Sequence, residues 1–200
     1  KGRLIADTDI KNLGGQLRGY PVSLNSRFTW RSTSNEDTIL ESSRLKNSDL
    51  KSSDLKNSDV DIAHLNFSSG NAKIKAQGKI GKSSNLNWHI SANDIGALYP
   101  QAGGQLDAKG SLTGSREKPF IKATLKGSNL TLPDYQIGAI EGQFAVDLFH
   151  WQKTNIALVT QALLLKGQAL QTLTINGGTK HLAVEAVSKQ GSAQLEFEGK

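Results

Sequence analysis

Apolar and polar residues alternate one by one through most of this chain. In VSLNSRFTW, Val22, Leu24, Phe28 and Trp30 fall on one side of an extended strand, with Ser23, Asn25 and Arg27 on the other. LNWHISA sets Leu86, Trp88, Ile90 and Ala92 against Asn87, His89 and Ser91, and Ile121, Ala123 and Leu125 alternate with Lys122, Thr124 and Lys126. In IEGQFAVDLF the aligned set is Ile140, Gly142, Phe144, Val146 and Leu148, and later come Leu182, Val184 and Ala186, then Ala193, Leu195 and Phe197. Successive side chains of a strand point to opposite faces, so a period of two predicts strands with one apolar and one wet face. Turn chemistry separates the runs: GG at 14–15, SSG at 68–70, GKSSN at 81–85, PQAGG at 100–104, SREKP at 115–119, LPD at 132–134 and NGG at 176–178. Such short connections predict antiparallel pairing, because parallel strands need long crossovers.

Helical candidates are few. ANDIGALYP, residues 92–100, has an Asn or Asp cap and a Pro stop, enough for one or two turns. TNIALVTQALLL, residues 154–165, reads either as a buried helix or as two strands meeting near Thr160 and Gln161; the alternation around Ile156 and Leu158 favours strands. A looser, irregularly spaced repeat links GRLIADTDI, NAKIKAQGKI, GGQLDAKGSL and GSAQLEFEGK, which suggests a sheet extended by duplication of strand pairs. A dozen or so strands with one apolar face each must cover that face. With almost no helices, the cover is a second sheet, closure into a barrel, or a curl that leaves an apolar groove.

Composition narrows the chemistry. The 200 residues are 36% hydrophobic with 20 Gly, a globular balance. There is no Cys, hence no disulfide and no thiolate metal site, which is compatible with a bacterial envelope compartment. No apolar run reaches the length of a membrane-spanning helix and no signal peptide opens the chain. Beginning at Lys1 and ending on the strand-like LEFEGK, residues 1–200 read as one continuous β-rich segment of a longer protein, with any anchor outside it. The net charge of +6 is spread along the chain, locally basic only at Lys79, Lys82 and Arg116 to Lys118, which argues against nucleic acid as a partner. His64, His89, His150 and His181 have no metal-ligand spacing, no G-x-S-x-G occurs, and Asp94, Asp107, Glu117 and Asp134 lie mostly in or beside turns. Neither an enzyme nor a cofactor or metal site is expected.

The order of motifs from Asn85 to Phe144 carries a family resemblance. DIGALYP precedes a Gly pair, a G-x-L-x-A-x-G-x-L-x-G strand runs from Gly104 to Gly114, Pro119 follows a polar turn, and IKATLKGSNL alternates after it. GQALQTLTINGGTKHLAVEAVSKQGSAQLEFEGK continues with two short strands, a Gly turn and an H-x-L-x-V strand. Most of residues 1–44 and 62–200 thus resembles the periplasmic portion of the TamB family, related to AsmA-like proteins. The resemblance implies an all-β, elongated, mostly antiparallel sheet curled into an apolar trough, β-taco-like, within a periplasmic protein of a diderm bacterium anchored in the inner membrane. It also implies a role in moving phospholipid between inner and outer membranes and supporting outer-membrane integrity. The alternative role is a module that docks an Omp85-type outer-membrane barrel (TamA-like) for outer-membrane protein assembly or secretion. Phospholipid acyl chains would then lie on the inward register, of which Trp88, Ile90, Leu106, Leu112, Ile121, Leu125, Phe144, Val146 and Leu148 are the clearest members. Without the resemblance, the same side chains read as the core of a closed sandwich; with it, the groove reading is favoured.

One tract stands apart. LKNSDLKSSDLKNSD, residues 45–59, contains three near copies of one five-residue unit, and Leu40, Leu45, Leu50, Leu55, Val60 and Leu65 recur at every fifth position, a spacing that fits neither a plain strand nor an α-helix. The units are similar to pentapeptide repeats, but make roughly one coil, too little to bury their Leu residues between neighbours. Residues 41–61 are therefore expected to form a polar loop or insertion, or else in part to continue as strand. Asp49, Asp54 and Asp59 are expected to be solvated.

Overall fold

The computed structural model describes residues 2–34, 58–150 and 153–198. Its strands are β1 (Gly2–Leu17), β2 (Tyr20–Ser34), β3 (Ser58–Ser69), β4 (Ala72–Ile80), β5 (Ser84–Ala92) and β6 (Gly103–Gly114). They continue as β7 (Pro119–Leu132), β8 (Tyr135–Asp147), β9 (Asn155–Leu165), β10 (Gln168–Gly178), β11 (His181–Ser188) and β12 (Gly191–Glu198). All twelve lie in one sheet in chain order, each antiparallel to the next. β1 and β12 do not pair with each other, so the sheet stays open, as a trough and not a barrel.

Local sequence explains the turns. Arg18 and Gly19 sit at φ 53° and 83°, and Lys166 and Gly167 at 45° and 83°, so both two-residue connections turn through positive φ as a twisted hairpin requires. The segment 92–102 yields only a single 3₁₀ turn, Ile95–Ala97, capped by Asp94, whose Oδ1 accepts the Gly96 N–H at 2.9 Å. Residues 155–165 form one strand, not two, because a residue at positive φ, Ala162 at 50°, absorbs the break near Gln161 without ending the ladder.

Bulges repair the alternation where the sequence spaces apolar residues by three. Ile10 and Leu13 lie opposite Ser26 and Leu24, and Ile62 and Leu65 opposite Gly78 and Ala76, so one extra residue in each strand keeps both apolar side chains on one face. Further irregularities align across neighbouring strands: Gly104 (φ 97°), Asn129 (φ 50°) and Ala162 (φ 50°), with Gly138 beside Ala162. Bulged strands bend, so this line acts as a crease. Leu130 and Leu163, the only Leu residues among the buried hydrophobics of the described residues, follow it at 9% and 7% exposure, placing the bend toward the apolar face.

The conventional core is small. Among the described residues its other buried apolar members are Ala72, Ala92, Ala97 and Ala108, and the largest fully buried side chain is Ser69. Ala72, Ala92 and Ala97 form one cluster beneath the 3₁₀ turn, with Tyr20, Ile95 and Leu98 packed on it, and Ser69 Oγ donates to the Ala97 carbonyl at 2.8 Å. This turn roofs the rim of β2–β6.

The opposite rim is stitched by hydrogen bonds between successive turns. Asp59 Oδ1 accepts the Lys82 N–H at 2.9 Å, Arg116 N–H donates to the Gly81 carbonyl at 3.1 Å, and the Arg116 guanidinium reaches the Ser58 carbonyl at 2.8 Å. Asp59 is thus a turn clasp and not a solvated repeat residue. Its carboxyl is held below the ordinary range chiefly by the Lys82 N–H, with Lys79 assisting at 3.4 Å. Residues 58–61 of the expected insertion belong to β3, while the rest of the repeat lies outside the described residues.

Candidate functional site

Register partners share a face, so the pairing defines rows of side chains across the sheet. One row runs Ile10, Ser26, Leu65, Ala76, Trp88, Gly110, Ala123, Phe144, Ile156, Gly177, Leu182 and Phe197. The next on the same face runs Leu13, Leu24, Phe67, Ile74, Ile90, Ala108, Leu125, Gly142, Leu158, Ile175, Val184 and Leu195. Beside them lie Leu86, Leu112, Ile121 and Val146, and on the other flank Ala92, Leu106, Gly127 and Ile140. The result is an apolar surface crossing all twelve strands, with most of its large side chains half-buried and no second sheet over them among the described residues.

Eight of the nine residues singled out from the sequence fall on this surface: Trp88 with Phe144 in one row, Ile90 with Leu125 in another, Leu112, Ile121 and Val146 in a third, and Leu106 in a fourth. Leu148 does not. β8 ends at Asp147, whose Oδ1 accepts the N–H groups of Phe149 and His150, so Leu148 sits in the following turn at 60% exposure. Leu158, Ile175 and Ile74 belong to the surface as fully as the residues chosen. Trp88 also explains a glycine: a Cβ on Gly110 would lie 2.6 Å from the indole ring, so the bulky side chain lies over the bare backbone of its partner.

The surface is not uniformly filled. Between β9 and β12 it contains a hollow of about 290 Å³ lined by Ile156, Gly177, Leu182 and Phe197, with Thr154 and Thr179 at its edge. The Thr179 hydroxyl there is buried without a hydrogen-bond partner. Polar groups occupy the opposite face: the His89 and Asp107 side chains meet at 2.7 Å, Lys126 pairs with Glu141 at 2.9 Å, and Arg31 with Asp61 at 3.5 Å. No group of three or more His, Cys, Asp or Glu is placed to hold a metal ion among the described residues. Asp94 is committed to its cap, and Asp147 is held below the ordinary carboxylate range chiefly by the His150 N–H, with the Phe149 N–H assisting.

An open, one-layer antiparallel sheet with one apolar face is the architecture the family resemblance implies, and the model of the TamB N-terminal domain matches residues 1–200. The chain belongs to the TamB family. The match includes the repeat tract that the resemblance had left out. No curated protein and no solved structure matches the chain. TamB proteins are envelope-associated, periplasmic transport and assembly modules and not an enzyme family. No helix among the described residues of this TamB segment is long and apolar enough to cross a membrane.

Proposed function

We propose that this TamB segment carries phospholipid between the inner and outer membranes, with acyl chains lying along the apolar rows and headgroups in water at the open rims. The observation that supports it most is the apolar surface itself. Eleven strand spacings give it a length of about 50 Å, and among the described residues only the short turn at Ile95–Ala97 covers part of one flank. Each methylene removed from water by this surface contributes about 0.8 kcal/mol, so a chain of a dozen or more methylenes is held without any polar contact. Movement along the rows costs little, since one apolar row resembles the next. The segment would thereby support outer-membrane integrity as part of an inner-membrane-anchored protein.

The test places a photo-crosslinking residue at successive positions of β8 in the full-length protein in cells. Labelled phospholipid is expected from Gly142, Phe144 and Val146 and not from Gln143, Ala145 and Asp147. Equal labelling of both sets, or of neither, overturns the proposal. Leu106→Asp and Phe144→Asp are expected to abolish the signal in protein that still folds.

A second reading rests on a different feature. Among the described residues β12 pairs only with β11, all eight of its residues are exposed and it holds no Pro, whereas β1 is bent by the bulge at Ile10–Leu13. A strand of this kind accepts a further strand by main-chain hydrogen bonds, whether from the protein itself or from a docked Omp85-type barrel or its client. A pull-down of the barrel that survives loss of the apolar rows but fails with Gln194→Pro would support it.

A further inference from the structure

The polar face has furrows of its own, and one of them differs from its neighbour in charge. Between two rows of long side chains, a furrow of about 800 Å³ runs from Asn87 on β5 to Asn155 on β9, walled by Lys109, Lys122 and Gln143. A further hollow of about 270 Å³, lined by Lys75 and sharing Asn87 and Trp88, continues the same line to β3. Together they cross seven strands, a length of about 29 Å at the usual strand spacing. The floor is strand backbone bearing Ala76, Gly110 and Ala123, whose side positions belong to the apolar face.

No carboxylate lines this furrow, and Lys75, Lys109 and Lys122 make no ion pair among the described residues. Lys122 lies over the Phe120 ring at 5.6 Å, and Asp107, on the flank, is engaged by His89. The parallel furrow on the same face is lined by Asp107, Lys126 and Glu141, and there the lysine is neutralised at 2.9 Å. The two furrows on this face thus differ in that only the first offers uncompensated cations among the described residues.

We propose that the first furrow is a binding site for an extended anionic glycan, a linear polysaccharide strand bearing carboxylate or phosphate groups. Its walls carry side-chain amides and hydroxyls, which donate and accept as sugar hydroxyls require, and its lysines meet the acidic substituents as point charges. Asn87, Ser111, Lys122 and Asn155 on one wall and Lys109, Thr124 and Gln143 on the other make a ladder of polar groups, interrupted at Ala145 and Ala157, that suits a repeating polymer. An acidic peptide fits less well. Every strand under the furrow is paired on both sides, so no free edge is available for the main-chain bonds that hold extended peptides. The site lies on the face opposite the apolar rows and does not depend on lipid binding there.

The test measures binding of full-length protein to an immobilised linear polyuronate, with a neutral glucan of equal length and poly-glutamate as the other arms. Polyuronate is expected to bind, weakening as salt rises, and the neutral glucan to bind far less. Lys109→Glu with Lys122→Glu is expected to weaken polyuronate binding by about tenfold or more, whereas Lys126→Glu changes it by less than about twofold. Asn87→Ala with Gln143→Ala is expected to weaken polyuronate and leave poly-glutamate unchanged. Poly-glutamate binding as tightly as polyuronate, or unchanged binding by the double lysine variant with an unshifted unfolding midpoint, overturns the proposal.

Discussion

The two ends of the sheet are built from the same pattern and differ in burial. One row passes through Ala72 and Ala92 at β4–β5 and through Ala186 and Ala193 at β11–β12. At the first end the turn at Ile95–Ala97 lies over the row, leaving Ala72 and Ala92 at 0% and 2% exposure; at the second nothing among the described residues lies over it, and Ala193 is exposed. Alternation therefore decides which face a residue takes, and a nonlocal turn decides whether that position becomes core. The roofed end holds the sheet together, and the open end leaves apolar surface for something else to cover.

The sharpest challenge to this contrast is a charge placed at both ends of the row. Ala92→Asp is expected to cost about 3 kcal/mol or prevent folding, because the carboxylate would be buried beneath Ile95 and Tyr20 without a partner. Ala193→Asp is expected to stay within about 0.5 kcal/mol by urea unfolding. Equal costs would show that both ends are core. Next in size is truncation: Leu163→Ala, at the crease, is expected to lose about 2–3 kcal/mol, and Leu195→Ala, at 57% exposure, less than about 1 kcal/mol.

The stitched rim predicts a smaller, pH-dependent effect. Asp59 has a lowered carboxyl pKa in the fold, so its contribution is present above the ordinary carboxylate value of 3.8 and is lost as pH falls through the folded value. Asp59→Asn is therefore expected to destabilise by about 1 kcal/mol at pH 7, discounted for partial exposure, with a deficit that vanishes in acid. A pH-independent deficit would assign the effect to packing. Smallest of all is deletion of residues 46–55, two whole repeat units. β2 and β3 pair at Ser32 and Ser58 whatever the length between them, and loop closure depends weakly on length, so stability is expected to change by less than about 1 kcal/mol.

Much of this was legible in residue order. Trp88, Ile90, Ile121 and Phe144 could be assigned to one face from spacing alone. But the GG at 14–15 expected to turn lies inside β1, paired with Ser23 and Val22, and the chain turns instead at Arg18–Gly19 and, later, at Lys166–Gly167, which the turn signals did not single out. Three things were hidden. Ile10 and Leu13, or Thr160 and Leu163, look out of phase until a bulge or a positive φ is placed between them. Asp59 looks like one more repeat residue until the β4–β5 turn arrives beside it. Lys75, Lys109 and Lys122 look scattered because they are dozens of residues apart, and antiparallel pairing alone brings them along one furrow.

Alternation along the chain already dictates that this TamB segment is strands with one apolar and one polar face, because side-chain direction in a strand is a local property with a period of two. Which apolar positions are roofed, where the sheet creases and which lysines meet is settled only when the strands come together. Those outcomes depend on register between strands distant in sequence, and register is set by the whole set of pairings at once.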